Sequence, residues 1–158
     1  MTVFHWVRHG PTHEKSFVGW RDVPADLSDH AQIDRLSAHL PANAIIVSSD
    51  LMRSVDTATA IQGSRRRLSH MAELREFHFG SWDGQKFDAI AAAHPKTSGE
   101  YWETPGDVAP PGGESWNDAA HRVSCAADHL AQAFQGNHIV VVAHIGVILT
   151  QVQRALAV

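Results

Sequence analysis

At 158 residues the chain is long enough for one domain that buries its own core without disulfide or metal staples. A hydrophobic fraction of 44%, a charged fraction of 19% and a formal net charge of -4 exclude a disordered chain and lack the basic excess of a nucleic-acid binder. The single Cys125 excludes an intrachain disulfide and a cysteine zinc site, and its place among apolar helix positions reads as a buried small hydrophobe.

Val3-Phe4-His5-Trp6-Val7 is short and almost wholly apolar, with no basic leader before it and no stretch of membrane length after it. It predicts a strand over 2–7, central and covered on both faces, and a cytoplasmic protein. The strand runs into Arg8-His9-Gly10-Pro11-Thr12. Arg8 offers a planar fork of donors for phosphate oxygens, His9 is a neutral nucleophile near pH 7, and Gly10 lets backbone N–H groups approach a ligand. Pro11, Gly19, Pro24 and Asp26 make 10–27 a loop. Ser28 is the expected cap of a helix through Leu40 that buries Ile33, Leu36 and Leu40 and stops at Pro41.

A second strand is predicted over 44–47, followed by Ser48-Ser49-Asp50 and a helix to about Gln62 with Leu51, Val55, Ala58 and Ile61 on one face. Arg65-Arg66-Arg67 reads as solvated surface. The stretch 73–113 holds Phe77, Phe79, Trp82, Phe87, Tyr101 and Trp102, one helical piece near 85–93, and a Pro/Gly cluster, and is expected to form a cap over a pocket. Trp116, Ala120, Val123, Ala127, Leu130 and Phe134 recur at helical spacing within 114–134. Residues 137–143 form another apolar strand with His144 at its end, and 147–156 a closing helix.

This alternation predicts a three-layer α/β/α sandwich with a mostly parallel sheet, as a single domain over 1–158. In such sheets ligands bind beyond the carboxyl ends of the strands. Arg8-His9, Arg53 and His144 all follow strand ends, so they converge on one crevice suited to an anion. The pairs His5/His9 and His9/His13 do not share a helix face, and the adjacent arginines repel a dication, so no metal is expected.

Several segments, in order, resemble the histidine phosphatase superfamily, which includes cofactor-dependent phosphoglycerate mutases and small phosphomonoesterases. They are Arg8-His9-Gly10-Pro11-Thr12, Phe17-Val18-Gly19-Trp20-Arg21-Asp22, Ser48-Ser49-Asp50-Leu51-Met52-Arg53, Leu74-Arg75-Glu76 with Phe79-Gly80-Ser81-Trp82-Asp83-Gly84, Pro111-Gly112-Gly113-Glu114-Ser115, and Val142-Ala143-His144. The resemblance implies a phosphoglycerate mutase-like fold and a phosphomonoesterase that needs neither metal nor cofactor and acts through a phosphohistidine on His9. It implies that Arg8, Arg53 and a protonated His144 hold the phosphoryl group, and that Glu76 donates the proton to the leaving group, with Asp83 the next place to look. Burial and the phosphate dianion must then outweigh the neighbouring arginines, which lower a carboxyl pKa.

Thr12, Lys15, Trp20 and Arg21 are the expected substrate contacts, and the substrate is a small phosphorylated metabolite, with no nucleic-acid or membrane partner. The chain departs from the family pattern at Lys15, where an Asn is common, at Ile145, where a Gly commonly follows the second histidine, and in ending soon after His144. The last feature could leave an edge for a homodimer to cover. A phosphoglycerate mutase, favoured by Phe17–Asp22, and a phospholigand-binding module without turnover are the alternatives. Glu114-Ser115 reads as the cap of the long helix.

Overall fold

The computed structural model describes residues 1–157. Four strands, β1 (Val3–Arg8), β2 (Ile45–Ser48), β3 (Arg66–Arg67) and β4 (His138–Ala143), form one parallel sheet in the order β1-β4-β2-β3. Six α-helices accompany it: α1 (His30–His39), α2 (Met52–Gln62), α3 (Phe87–Ala93), α4 (Pro95–Glu103), α5 (Trp116–Ala133) and α6 (Ile145–Leu156). Two 3-10 turns, Ala72–Leu74 and Gly80–Trp82, lie between β3 and α3.

The apolar run of β4 has to satisfy two faces at once. Ile139, Val141 and Ala143 point into a core with Val123, Leu130 and Val147, whereas Val140 and Val142 point into one with Ala58, Ile61 and Leu40. These five β4 residues, Ile139 to Ala143, are fully buried, and His138 at the start of the strand is half-buried. This period-2 division places α1 and α2 on one face of the sheet and α5 and α6 on the other, which is the three-layer sandwich that the strand and helix pattern predicts.

Several expectations need correction. β1 is an edge strand, paired only with β4, so Val3 to Trp6 are half-buried instead of covered on both faces. Its apolar content is used sideways, with Phe4 and Trp6 stacked at a centroid separation of 5.9 Å and packed on the α5–α6 core. Asp29, not Ser28, caps α1 by accepting from the Gln32 N–H. Residues 95–103 form a second helix in the aromatic stretch, begun by Pro95 at its first turn, where a missing N–H costs nothing. Cys125 is exposed on α5, not buried.

Arg65 overturns the solvated reading of the arginine run. Its side chain is buried and donates to the carbonyls of Ser37, Leu40, Pro41 and Ile61. These belong to the last turns of α1 and α2 and the residues just beyond α1, whose carbonyls lack intrahelical partners. One guanidinium therefore finishes two helices. Arg66 lies over the Phe134 ring and stays exposed, as expected of the run.

Candidate active site

Because the strands are parallel, all their carboxyl ends meet at one edge of the sheet. Arg8 pairs in register with Ala143, so the next residues, His9 and His144, stand side by side with ring centroids 5.1 Å apart. The His9 N–H donates to the Ala143 carbonyl and the Ser49 N–H to the Val142 carbonyl, extending the sheet by one residue into the site. Register thus brings together two histidines 135 positions apart in the chain.

His9 Nδ1 lies 2.6 Å from the Gly10 carbonyl. A carbonyl only accepts, so the ring proton sits on Nδ1 and Nε2 carries the free lone pair. Burial lowers its pKa to about 4, helped by the positive charges of Arg53 and Arg8 and opposed by the Gly10 hydrogen bond. The imidazole is therefore neutral through the physiological range. Arg8 is exposed and lines a cavity of about 660 Å³ beside His9.

Arg53 is only 1% exposed, because α2 follows the β2 strand end after three intervening residues and turns Arg53 and Ser54 inward while Met52 faces out. Its Nη1 donates to the Arg21 carbonyl at 2.8 Å and its Nη2 to the Gly19 carbonyl at 2.6 Å, while buried Nε has no protein partner among the described residues. The carbonyls that hold Arg53 are themselves fixed by Asp83. That carboxylate accepts the N–H groups of Gly19, Trp20 and Arg21 and the Arg21 Nε.

His144 is fully buried, with Nε2 2.8 Å from Ser49 Oγ and 3.2 Å from Ser54 Oγ, and with Nδ1 unpaired among the described residues. Burial, then Arg53, His9, Arg122 and Arg8, holds it well below the usual histidine pKa. That direction favours the neutral ring, and the imidazolium expected from the sequence is one formed beside a bound dianion. Only a dianion brought between these cations would reverse that balance. Two hydroxyls donating to Nε2 would leave the ring proton on Nδ1, as an unused donor.

Glu76 is buried, and burial raises its pKa against the opposing pull of the Phe77 and Gly146 N–H groups, Arg53 and the Val147 N–H. Burial therefore outweighs the arginine and the backbone N–H groups in setting the direction of the shift. Oε1 accepts from the Phe77 N–H at 2.9 Å and Oε2 from the Gly146 N–H at 3.1 Å. A Cβ on Gly146 would collide with Oε1. The glycine that matters after His144 is thus Gly146, and Ile145 puts its side chain out at the surface, 40% exposed.

The expected substrate contacts are placed less centrally. Thr12 Oγ1 accepts from the Glu14 N–H at 3.4 Å, and Lys15 is exposed. Trp20 donates from its indole to the Glu76 carbonyl at 2.8 Å and lies under Arg75. Arg21 is spent on Asp83, Ser16 and the Phe17 carbonyl.

Residues 4–158 match the sequence model of the histidine phosphatase superfamily (branch 1). The chain belongs to that superfamily. Among its relatives is the bifunctional protein Rv2228c of Mycobacterium tuberculosis, 32% identical over 140 residues, which are 88% of this chain but 36% of that protein. The chain therefore spans about a third of the length of the first curated relatives it matches. Bacillus stearothermophilus YhfR has a similar structure, with a TM-score of 0.90 and 28% identity over 99% of this chain and 81% of that one. A mycobacterial glucosyl-3-phosphoglycerate phosphatase, solved with inorganic phosphate, is similar with a TM-score of 0.81 and 29% identity over 97% of this chain and 78% of that one.

Within this histidine phosphatase fold, sequence reasoning missed the groups that position others. Asp83 reads in the sequence as a spare acid, yet its four accepted hydrogen bonds organise the loop that grips Arg53. Arg122 donates to the carbonyls of Glu73, Arg75 and Glu76 and pairs with Glu114 at 2.8 Å, so α5 holds the Glu76 backbone in place. A half-buried arginine on an amphipathic helix, eight residues from a glutamate, is only a weak signal in sequence. Ser115 does cap α5, in a reciprocal arrangement with Asp118.

Proposed function

We propose that the protein is a metal-independent phosphomonoesterase that works through a phosphohistidine on His9. One observation carries this reading: His9 is locked by its 2.6 Å Nδ1 contact into the tautomer with a free Nε2, and its pKa of about 4 keeps that nitrogen unprotonated. Around it stand Arg8, the unspent Nε of Arg53 and the unspent Nδ1 of His144. This cationic, donor-rich set suits a phosphoryl group and repels a dication.

In the first step His9 Nε2 attacks phosphorus, the N–P bond forms and the ester P–O bond breaks in line. The arginines and His144 Nδ1 stabilise charge on the equatorial oxygens. Glu76 transfers its proton to the departing alkoxide and becomes a carboxylate. In the second step that carboxylate removes a proton from water, the water oxygen attacks phosphorus, the N–P bond breaks, and inorganic phosphate leaves with His9 and Glu76 restored. Thr12, Lys15, Trp20 and Arg21 are the substrate contacts in this reading, the last two on the loop that anchors Arg53.

The substrate in this reading is a small phosphorylated metabolite of the cytoplasm. No helix of the described residues is long and apolar enough to cross a membrane. A panel of phosphomonoesters assayed with chelator present tests the reading. Phosphate release that persists with chelator and disappears in His9→Ala supports it. Activity that requires added zinc overturns it, and phosphoryl transfer between glycerate positions faster than phosphate release would favour a mutase.

A further inference from the structure

Besides the cavity at Arg8 and His9, a second chamber of about 160 Å³ has Glu76 in its wall. The rest of that wall includes Phe77, Phe79, Tyr101, Trp102, Trp116 and Leu149. Three apolar side chains of this chamber remain in solvent, Trp102 at 55%, Leu149 at 47% and Ile145 at 40%. The accessible wall is mostly apolar. Trp116 gives its indole N–H to Gln153 at 2.8 Å, and the Tyr101 hydroxyl is sealed from solvent with no partner among the described residues.

We propose that this aromatic chamber receives the alcohol portion of the substrate, and that it selects a single flat apolar ring on a short alkyl phosphate over a polyhydroxylated alcohol. The inference rests on the phosphomonoesterase reading, in which Glu76 meets the leaving oxygen, so the carbon skeleton attached to that oxygen must enter the space Glu76 borders. Size fits one ring: an apolar cavity of about 150 Å³ takes up benzene. Hydroxyl groups entering the same space would give up water without finding partners on Phe77, Phe79 or Leu149. An aromatic ring would bury its faces against Trp102 and Trp116 instead.

Binding of two phosphonates, which cannot be hydrolysed, separates this inference from the reading beneath it. Calorimetric titration of the full chain should show 2-phenylethylphosphonate binding about tenfold to a hundredfold more tightly than 2,3-dihydroxypropylphosphonate. Trp102→Ala and Leu149→Ser, both at solvent-exposed positions, should each pull that ratio down severalfold. Equal affinities for the two phosphonates would overturn the assignment. So would a ratio that ignores both substitutions but responds to Leu36→Ala in the larger cavity lined by α1. A preserved preference in a protein that never forms a phosphoenzyme would overturn the phosphomonoesterase reading and leave the chamber's selectivity standing.

Discussion

Glu76 and His9 carry opposite pKa shifts from the same cause, burial, and the proposed phosphoryl transfer uses both directions, a carboxyl pushed toward holding its proton and an imidazole pushed toward shedding its own. An alkoxide leaves poorly unless it is protonated as the bond breaks, whereas nitrophenolate leaves largely unaided. Glu76→Gln should therefore slow phosphoenzyme formation from an alkyl phosphate by on the order of 10² to 10⁴ and from nitrophenyl phosphate far less. Single-turnover burst rates check this, and equal losses would assign Glu76 a structural role. For His9, acylation of the ring by diethyl pyrocarbonate should follow an apparent pKa of about 4. A value near the ordinary ~6.5 would show that burial and the arginines do not act on it as described.

At the scale of elements, β1, β2, β4 and the two long helices were legible because their apolar patterns are strong, whereas β3 is the pair Arg66–Arg67, which carries no apolar pattern and reads as surface charge. β4 and α5 lie within a residue or two of where spacing alone puts them. His9, Arg53 and His144 were legible as a set because each follows a strand end in a parallel sheet. Edge position was not legible: β1 and β4 are both largely apolar, and only the strand order reveals that β1 has one neighbour. Arg65 was not legible either, since its partners are backbone carbonyls of Ser37, Leu40, Pro41 and Ile61, which leave no mark in side-chain pattern. Arg65→Met should cost about 2 to 4 kcal/mol by leaving those carbonyls unpaired, measured as a lower urea midpoint. A change under about 0.5 kcal/mol would mean that water replaces the guanidinium freely. Asp83→Asn, which weakens the grip on Gly19, Trp20 and Arg21, should reduce phosphoenzyme formation without Asp83 touching the substrate, and Arg53→Ala in that background should add less than it does alone.

For the molecule as a whole, the active site opposes stability in acid. The folded-state pKa of His9 is about 4, and that of His144 is also lowered, while unfolded histidine titrates near ~6.5. Across roughly pH 4 to 6.5 the unfolded chain therefore binds more protons, so stability rises with pH through that window and falls on acidification. Glu76 works the other way, because its raised pKa makes the folded state the better proton binder above the ordinary carboxyl range. Replacing a buried histidine removes its share of the acid penalty: His9→Asn should gain on wild type as pH falls from 7 to 5, in urea unfolding at each pH. A stability difference that does not vary with pH would contradict the shift.

The proposed turnover ties these scales together, since sheet register sets His9 beside His144, Asp83 and its loop fix Arg53, and burial raises the pKa of the Glu76 carboxyl. The most direct measurement is the chemical state of His9 during turnover. Protein mixed with a radiolabelled phosphomonoester and quenched within one turnover should carry label that is stable in alkali, lost in acid, located on the peptide containing His9 and absent from His9→Ala. Label on another residue, or product formed with no labelled protein at any quench time, would contradict a phosphohistidine mechanism.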